Sequence, residues 1–259
     1  FIRFNTLFQL LALAKRKSPI LAQAETMLLM PNLFDFWFSG RKVTEFTIAS
    51  TTQMLDPNRR DWAFDLLDKF SISREMLTEI VEPGTVIGKV MPSITQELGI
   101  EGAEIPVIVP ASHDTGSAVA AVPTRESDYV YISSGTWSLM GVEVKEPIVN
   151  EQSRANNFTN EGGVCGTYRF LKNIMGLWLV QQCRRSFRRT GNEYSYDELT
   201  EMARAAQPLQ SFIDPDADEF MNPPDMPEAI QDFCRRTNQP VPETEAALIR
   251  CCLESLALK

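Results

Sequence analysis

Asp114 stands between the chain's single histidine, His113, and Thr115, in the stretch Ala111-Ser112-His113-Asp114-Thr115-Gly116. A carboxylate flanked by an imidazole and a hydroxyl can accept the proton of an alcohol and so serve as a general base. The same residue types also start helices, because Ser, Asp and Thr side chains accept hydrogen bonds from the free N–H groups of a first turn. On these residues alone both readings stay open. A second candidate is Ser133-Ser134-Gly135-Thr136. Its amides and hydroxyls could cradle a phosphate without net positive charge, although Ser and Gly dominate ordinary turns as well.

Other chemistries are excluded by pattern. There is no GxxxxGK[ST] loop, no HRD or DFG set and no GxGxxG. Asp214-Pro215-Asp216-Ala217-Asp218 imitates the start of a calcium loop, but Glu219 occupies the glycine position and Asp225 the place of the closing glutamate. Arg184, Arg185, Arg188 and Arg189 read as the basic end of a helix that complements its dipole. Five cysteines without a CxxC pair, and one histidine, support neither a disulfide framework nor a zinc cluster, so reduced structural thiols are expected.

The elements that must position these residues follow from apolar periodicity and its punctuation. Ile105 to Pro110 is a short β-branched run bounded by prolines, the pattern of a buried strand. The small residues from Ser117 to Val122 predict a closely packed helix after it. Asp114 is therefore expected at a strand-to-helix junction, where open α/β sheets bind ligands. Two strands, Asp128 to Ser133 and Trp137 to Val144, are predicted on either side of Ser134-Gly135-Thr136. Upstream, helices are expected from Asn5, from Glu25 to Phe38 with an interruption at Pro31 and a stop at Gly40, and from Asp61 to Phe70. Downstream, helices are expected over Lys172 to Phe187, Asn192 to Ala206 and Pro227 to Thr237, with a last one opening near Pro242.

With 259 residues, 44% of them apolar and 23% charged, the composition is that of a globular protein large enough for two domains. A boundary is expected near Arg125, dividing the chain into 1–124 and 125–259. A net charge of −9 argues against nucleic acid or an anionic membrane as partner. No apolar run reaches the roughly 18 residues a membrane helix needs. The apolar stretch from Leu7 to Ala14 precedes Lys15-Arg16-Lys17, the reverse of a secretory signal, and reads as a helix. Reduced structural thiols point to the cytoplasm. Because the sequence opens on Phe1 and stops at Lys259 within a helical pattern, an excerpt cut at both ends is expected.

Taken together, several blocks resemble the FGGY carbohydrate kinases, and among them the bacterial rhamnulokinases. They are Arg3 to Leu7, Ala49-Ser50-Thr51-Thr52-Gln53, Ala111 to Thr115, Ser133 to Gly141, Asn160-Glu161-Gly162-Gly163, Leu171 to Leu179 and Gln239 to Glu243. The resemblance implies an α/β, ribonuclease H-like fold of the actin, hexokinase and Hsp70 type, with two lobes that are both incomplete here. It implies that residues 1–124 belong to the sugar-binding amino-terminal lobe and 125–259 to the ATP-binding carboxy-terminal lobe. It also implies a reaction, transfer of the γ-phosphoryl group of ATP, with Mg2+, to O1 of L-rhamnulose, with L-fuculose or another ketose, or a non-catalytic sensor, as alternatives. By the same resemblance Asp114 is the catalytic base, His113, Asp114, Thr115 and Asn173 contact the sugar, and Gly135, Thr136 and Gln181 contact ATP. The family's Asp-x-Gly phosphate loop and its later glycine-rich adenosine segment are not among these residues, so no magnesium ligand is assigned. The chain is expected not to phosphorylate sugar by itself.

Overall fold

The computed structural model describes residues 4–126 and 128–259; Arg3, part of one of the blocks above, lies outside them. The chain divides into two compact units. One holds the residues up to Tyr131 together with Gly141–Lys172, and the other holds Ile132–Met140 with Asn173–Lys259.

In the first unit the order is α1 (Thr6–Lys15), α2 (Pro19–Gln23), α3 (Met30–Ser39), β1 (Thr44–Glu45), α4 (Phe46–Ala49), β2 (Leu55–Asp56), β3 (Asp61–Trp62), α5 (Phe64–Lys69), β4 (Ile80–Val81), β5 (Val86–Lys89), α6 (Pro92–Glu97), β6 (Pro106–Ile108) and α7 (Asp114–Ala120). The chain continues through β7 (Tyr131–Ser134), β8 (Trp137–Val144), α8 (Glu151–Ala155), β9 (Phe158–Gly162) and β10 (Tyr168–Met175). These last four strands form one sheet in the order β7-β8-β10-β9. Strands β9 and β10 run antiparallel, with Gly162 opposite Tyr168 and Phe158 opposite Lys172.

One core of the first unit gathers Leu7, Leu10, Ala49, Met54, Trp62, Leu67, Ile72 and Met76. A second, of Val43, Val81, Ile87 and Val109, lies under the strand that leads to Asp114. Arg60 lies over the Phe46 ring at 3.8 Å and the Tyr168 ring at 4.9 Å while both its Nη2 and Nε reach Glu82, so the α4 and β10 segments share one cation.

The second unit adds α9 (Trp178–Arg189), α10 (Tyr196–Ala205), α11 (Met226–Arg236) and α12 (Glu245–Leu258). Local capping sets three of these starts: Ser195 and Glu198 form a capping box, Asp225 accepts from the Glu228 amide, and Thr244 accepts from the Ala247 amide. The four helices bury one core of Leu179, Cys183, Phe187, Leu199, Phe220, Ile230, Cys234, Ile249, Cys251, Cys252 and their neighbours. Burial pushes the Cys251 thiol up to about 12, and the Cys234 thiol is raised for the same reason, so both remain protonated structural groups. Cys165 is exposed.

Several sequence-based boundaries move. Glu25 to Leu29 is not helical; α3 begins at Met30 and takes Pro31 into its first turn, where a missing N–H costs nothing, so the proline starts the helix instead of interrupting it. Gly40 closes it in the left-handed region, as its position suggests. Asp61 and Trp62 pair with Asp56 and Leu55 as a short ladder, so the following helix begins at Phe64. Asn5 precedes α1, yet its side chain donates to Gln53 and not to the helix. The first strand of the hairpin begins at Tyr131, and the helix placed from Asn192 begins at Tyr196 behind its capping box. Pro242 lies before α12, where its carbonyl accepts from Gln231. The largest change concerns Lys172 to Met175, which continue β10, with α9 starting only at Trp178.

Candidate active site

The junction at Asp114 is built from a buried carboxylate 69 residues upstream in sequence, Glu45. Glu45 is fully buried and accepts from the Thr47 amide at 2.7 Å, the Thr47 hydroxyl at 2.6 Å, the Ile48 amide at 3.1 Å and the Ser112 amide at 3.0 Å. It thereby caps α4 and clamps the segment leading into α7. Thr47 Oγ1 in turn accepts from the His113 amide at 3.0 Å. The backbone on which Asp114 stands is therefore fixed from below.

Asp114 is the first residue of α7, not its cap: His113 holds the cap position and makes no side-chain capping bond. Oδ1 of Asp114 accepts from the Thr115 amide at 2.6 Å and lies 3.3 Å from the Thr115 hydroxyl. The Asp114 side chain is 96% exposed, whereas that of His113 is only 20% exposed. Thr115 itself is buried, with its hydroxyl turned to that carboxylate.

His113 packs on a buried ion pair. Its Nδ1 lies 2.8 Å from Arg169 Nη2 and 3.1 Å from Glu161 Oε2, and its Nε2 lies 3.6 Å from Asp114 Oδ1. Arg169, fully buried on β10, pairs with Glu161 at 3.1 Å and donates from Nε to the Gly162 carbonyl at 2.9 Å. Gly162 is required here: an added Cβ would meet the Phe46 ring at 2.7 Å and the Thr47 Cα at 2.9 Å, and its amide donates to Ser50. The blocks at Ser50 and at Asn160 to Gly163, distant in sequence, thus close on one another around Thr47.

The other predicted residues belong to the second unit. Gly135 and Thr136 form the turn between β7 and β8, Gly135 exposed and Thr136 with its hydroxyl reaching Gln181. Helix α9 has no side-chain cap; instead the amides of Leu177 and Trp178 donate to the carbonyls of Gly135 and Thr136, at 2.9 and 3.1 Å. The turn is thus welded to the helix start. Gln181, one turn into α9, donates to Thr136 Oγ1 at 3.1 Å, so Gly135, Thr136 and Gln181 form one small polar surface. Asn173 stands half-buried on β10, not on a helix. Asp216, part of the calcium-like stretch, accepts from the Met175 amide and pairs with Lys259.

Gly176 permits the weld, because an added Cβ would lie 2.5 Å from Ser138 Oγ and 2.8 Å from both the Gly135 carbonyl and the Ser138 amide. Gly176→Ala is expected to destabilise the protein by about 1–3 kcal/mol, the range for overpacking a rigid site. A lower denaturant midpoint at unchanged slope would show it; a midpoint within error of the parent would mean that the turn yields freely.

Comparison with known proteins agrees with these blocks. Residues 1–121 match the N-terminal domain, and 130–259 the C-terminal domain, of the FGGY family of carbohydrate kinases. The chain belongs to this family. It is 45% identical over 258 residues to a rhamnulokinase of Bacteroides thetaiotaomicron and 41% identical over 258 residues to one of Oceanobacillus iheyensis. Those alignments take in 100% of this chain but 52% and 53% of the relatives, so the chain spans about half the length of the curated relatives it matches. Among solved structures it superposes on a gluconate kinase from Lactobacillus acidophilus with a TM-score of 0.68 at 19% identity, covering 98% of this chain and 50% of that one. A glycerol kinase from Plasmodium falciparum, solved with ADP, gives a TM-score of 0.64 at 12% identity, covering 96% and 49%. At such identities the likeness shows the fold alone, the ribonuclease H-like fold of FGGY sugar kinases.

Glu45, Thr47, Glu161 and Arg169 are the structural residues of this site that pattern reasoning did not single out. Only Glu161 carried a signal, its place in the Asn160–Gly163 block.

Proposed function

We propose that this chain supplies the catalytic base and part of the nucleotide-binding region of a kinase that transfers the γ-phosphoryl group of ATP to O1 of L-rhamnulose. The carrying observation is the carboxylate of Asp114, 96% exposed on a backbone held by buried groups, with Oδ1 engaged by Thr115. Oδ2 is then the atom that accepts the proton as O1 attacks phosphorus. In this reading His113, Asp114, Thr115 and Asn173 contact the sugar, and Thr115 also steadies the base. Residues 1–124 form the sugar-binding lobe and 125–259 the ATP-binding lobe of the whole protein.

ATP with Mg2+ supplies the phosphoryl group and offsets the charge on its oxygens. The Thr136 hydroxyl with Gln181 beside it fits a phosphate-bearing ligand, being a neutral polar surface on a rigid turn. Among the described residues no group of three or more His, Cys, Asp or Glu side chains converges to hold a metal. Among the described residues no helix is long and apolar enough to cross a membrane, and a cytoplasmic location accords with buried reduced thiols.

The sugar is decided by a panel of L-rhamnulose, L-fuculose, L-ribulose and L-xylulose with the full-length enzyme. L-Rhamnulose is expected to give the highest kcat/KM, by roughly 10-fold or more, the discrimination that a lost or misplaced hydroxyl contact supports. Equal or better turnover of another ketose would reassign the substrate. Sugar binding without turnover of any of them would make the protein a sensor.

A further inference from the structure

We infer that Arg169 is a positioning residue that fixes the tautomer of His113, and with it which oxygen of Asp114 is left to take a proton. The inference rests on the kinase reading for its consequence, though not for its geometry.

A guanidinium has five N–H donors and no acceptor. With Arg169 Nη2 2.8 Å from His113 Nδ1, that ring nitrogen must offer its lone pair. Nη2 also forms an ion pair with Glu161 Oε2, 3.1 Å away, while Nε donates to the Gly162 carbonyl. A neutral imidazole carries one proton, so it sits on Nε2, the nitrogen that faces Asp114. At 3.6 Å this is an electrostatic contact and not a hydrogen bond. It nonetheless presents a positive N–H edge to Oδ1, the oxygen already engaged by the Thr115 amide. Both donors act on Oδ1, and Oδ2 keeps its lone pairs for the substrate.

Arg169 also restrains a competitor. Glu161 Oε2 lies 3.1 Å from Nδ1 and, without the guanidinium, would draw a proton onto that nitrogen. The ring would then either turn a lone pair toward the Asp114 carboxylate or become an imidazolium paired with it. The first repels the base and the second weakens it. The charged and titratable groups about the imidazole are Asp114, Glu161 and Arg169, with the Tyr131 phenol behind Arg169 and Glu45 beneath the backbone. Burial pushes the Tyr131 hydroxyl well above its usual range, so it stays neutral. The His113 amide is pinned by Thr47 Oγ1, so the ring's state is left to its side-chain neighbours.

The test is 15N NMR of the His113 imidazole in the full-length enzyme, its signals identified by their loss in H113Q. At pH 7 the parent is expected to show the Nε2–H tautomer; the Nδ1–H form would overturn the proposal with no variant needed. R169K, which still offers only donors, should keep the Nε2–H form. R169M should shift the ring toward Nδ1–H or the doubly protonated form. Its kcat should fall by about 10- to 100-fold, as for groups that orient an imidazole, with a much smaller change in the KM for sugar. An R169M protein that retained the Nε2–H ring and full kcat would refute the assignment. Should R169M fail to fold, the parent and R169K spectra still decide it. Because the tautomer is read without turnover, absence of kinase activity in every variant would count against the proposed reaction alone.

Discussion

Full-length enzyme carrying Asp114→Asn is expected to bind its sugar nearly as well as the parent and to lose about 10²- to 10⁴-fold in kcat, the contribution of a general base. The asparagine is isosteric. It keeps an oxygen to accept from the Thr115 amide at the 2.6 Å position, and the exposed side chain has no core contacts to disturb. What changes is the second terminal atom: an amide NH2 replaces Oδ2 and cannot accept the proton of O1. Steady-state kinetics with calorimetric sugar binding separate the two effects. Unchanged turnover would remove Asp114 from the mechanism, and loss of binding equal to the loss of turnover would make it a ligand instead of a base.

The second large effect is on stability. Glu45→Ala would strand the amides of Thr47, Ile48 and Ser112 and the Thr47 hydroxyl, all now bonded to one fully buried carboxylate. Each buried donor left unmade costs about 1–3 kcal/mol, and some will rebond, so a loss on the order of 4 kcal/mol is expected. Glu45→Gln keeps one acceptor oxygen but points an NH2 at groups that are themselves donors, and should lose about half as much. Denaturant midpoints at unchanged slope would measure both. An alanine variant within about 0.5 kcal/mol of the parent, the range of an inert surface change, would show that the clamp does not hold the junction.

Local chemistry located the strand-to-helix junction at Asp114 and the turn at Gly135 and Thr136 because both are written in short runs. The strand expected to be buried nevertheless leaves Pro106 and Ile108 exposed, and the helix after it, expected to be closely packed, leaves Ser117, Ala118 and Ala120 exposed. It did not locate Glu45, since nothing within four residues of it distinguishes a buried clamp from a solvated carboxylate. Its Ser112 partner lies 67 residues away. Arg169 was hidden for a related reason. No element was expected at Arg169, and only the fold shows it fully buried in a strand against Glu161 and His113. The helix expected from Lys172 failed because Ile174, Met175, Leu177 and Leu179 satisfy helical spacing as written. The break at Gly176 comes from a tertiary contact, the carbonyl of Gly135, that no local pattern contains. Pro31 was misplaced by position alone, since a proline starts a helix or stops it depending on where the first turn falls.

The contacts that hold the Asp114 junction also constrain when it can exist. The Ser112 amide reaches Glu45 across 67 residues, the His113 amide reaches Thr47 across 66, and the Gly162 amide reaches Ser50 across 112. Loops of that length must close before the contacts can repay their entropy, and such features form late. Synthesis runs from the amino end, so Arg169 leaves the ribosome 56 residues after His113. For that interval the nascent chain holds the aspartate without the Glu161–Arg169 pair on which His113 packs, and the junction is complete only when translation has passed the strand bearing Arg169.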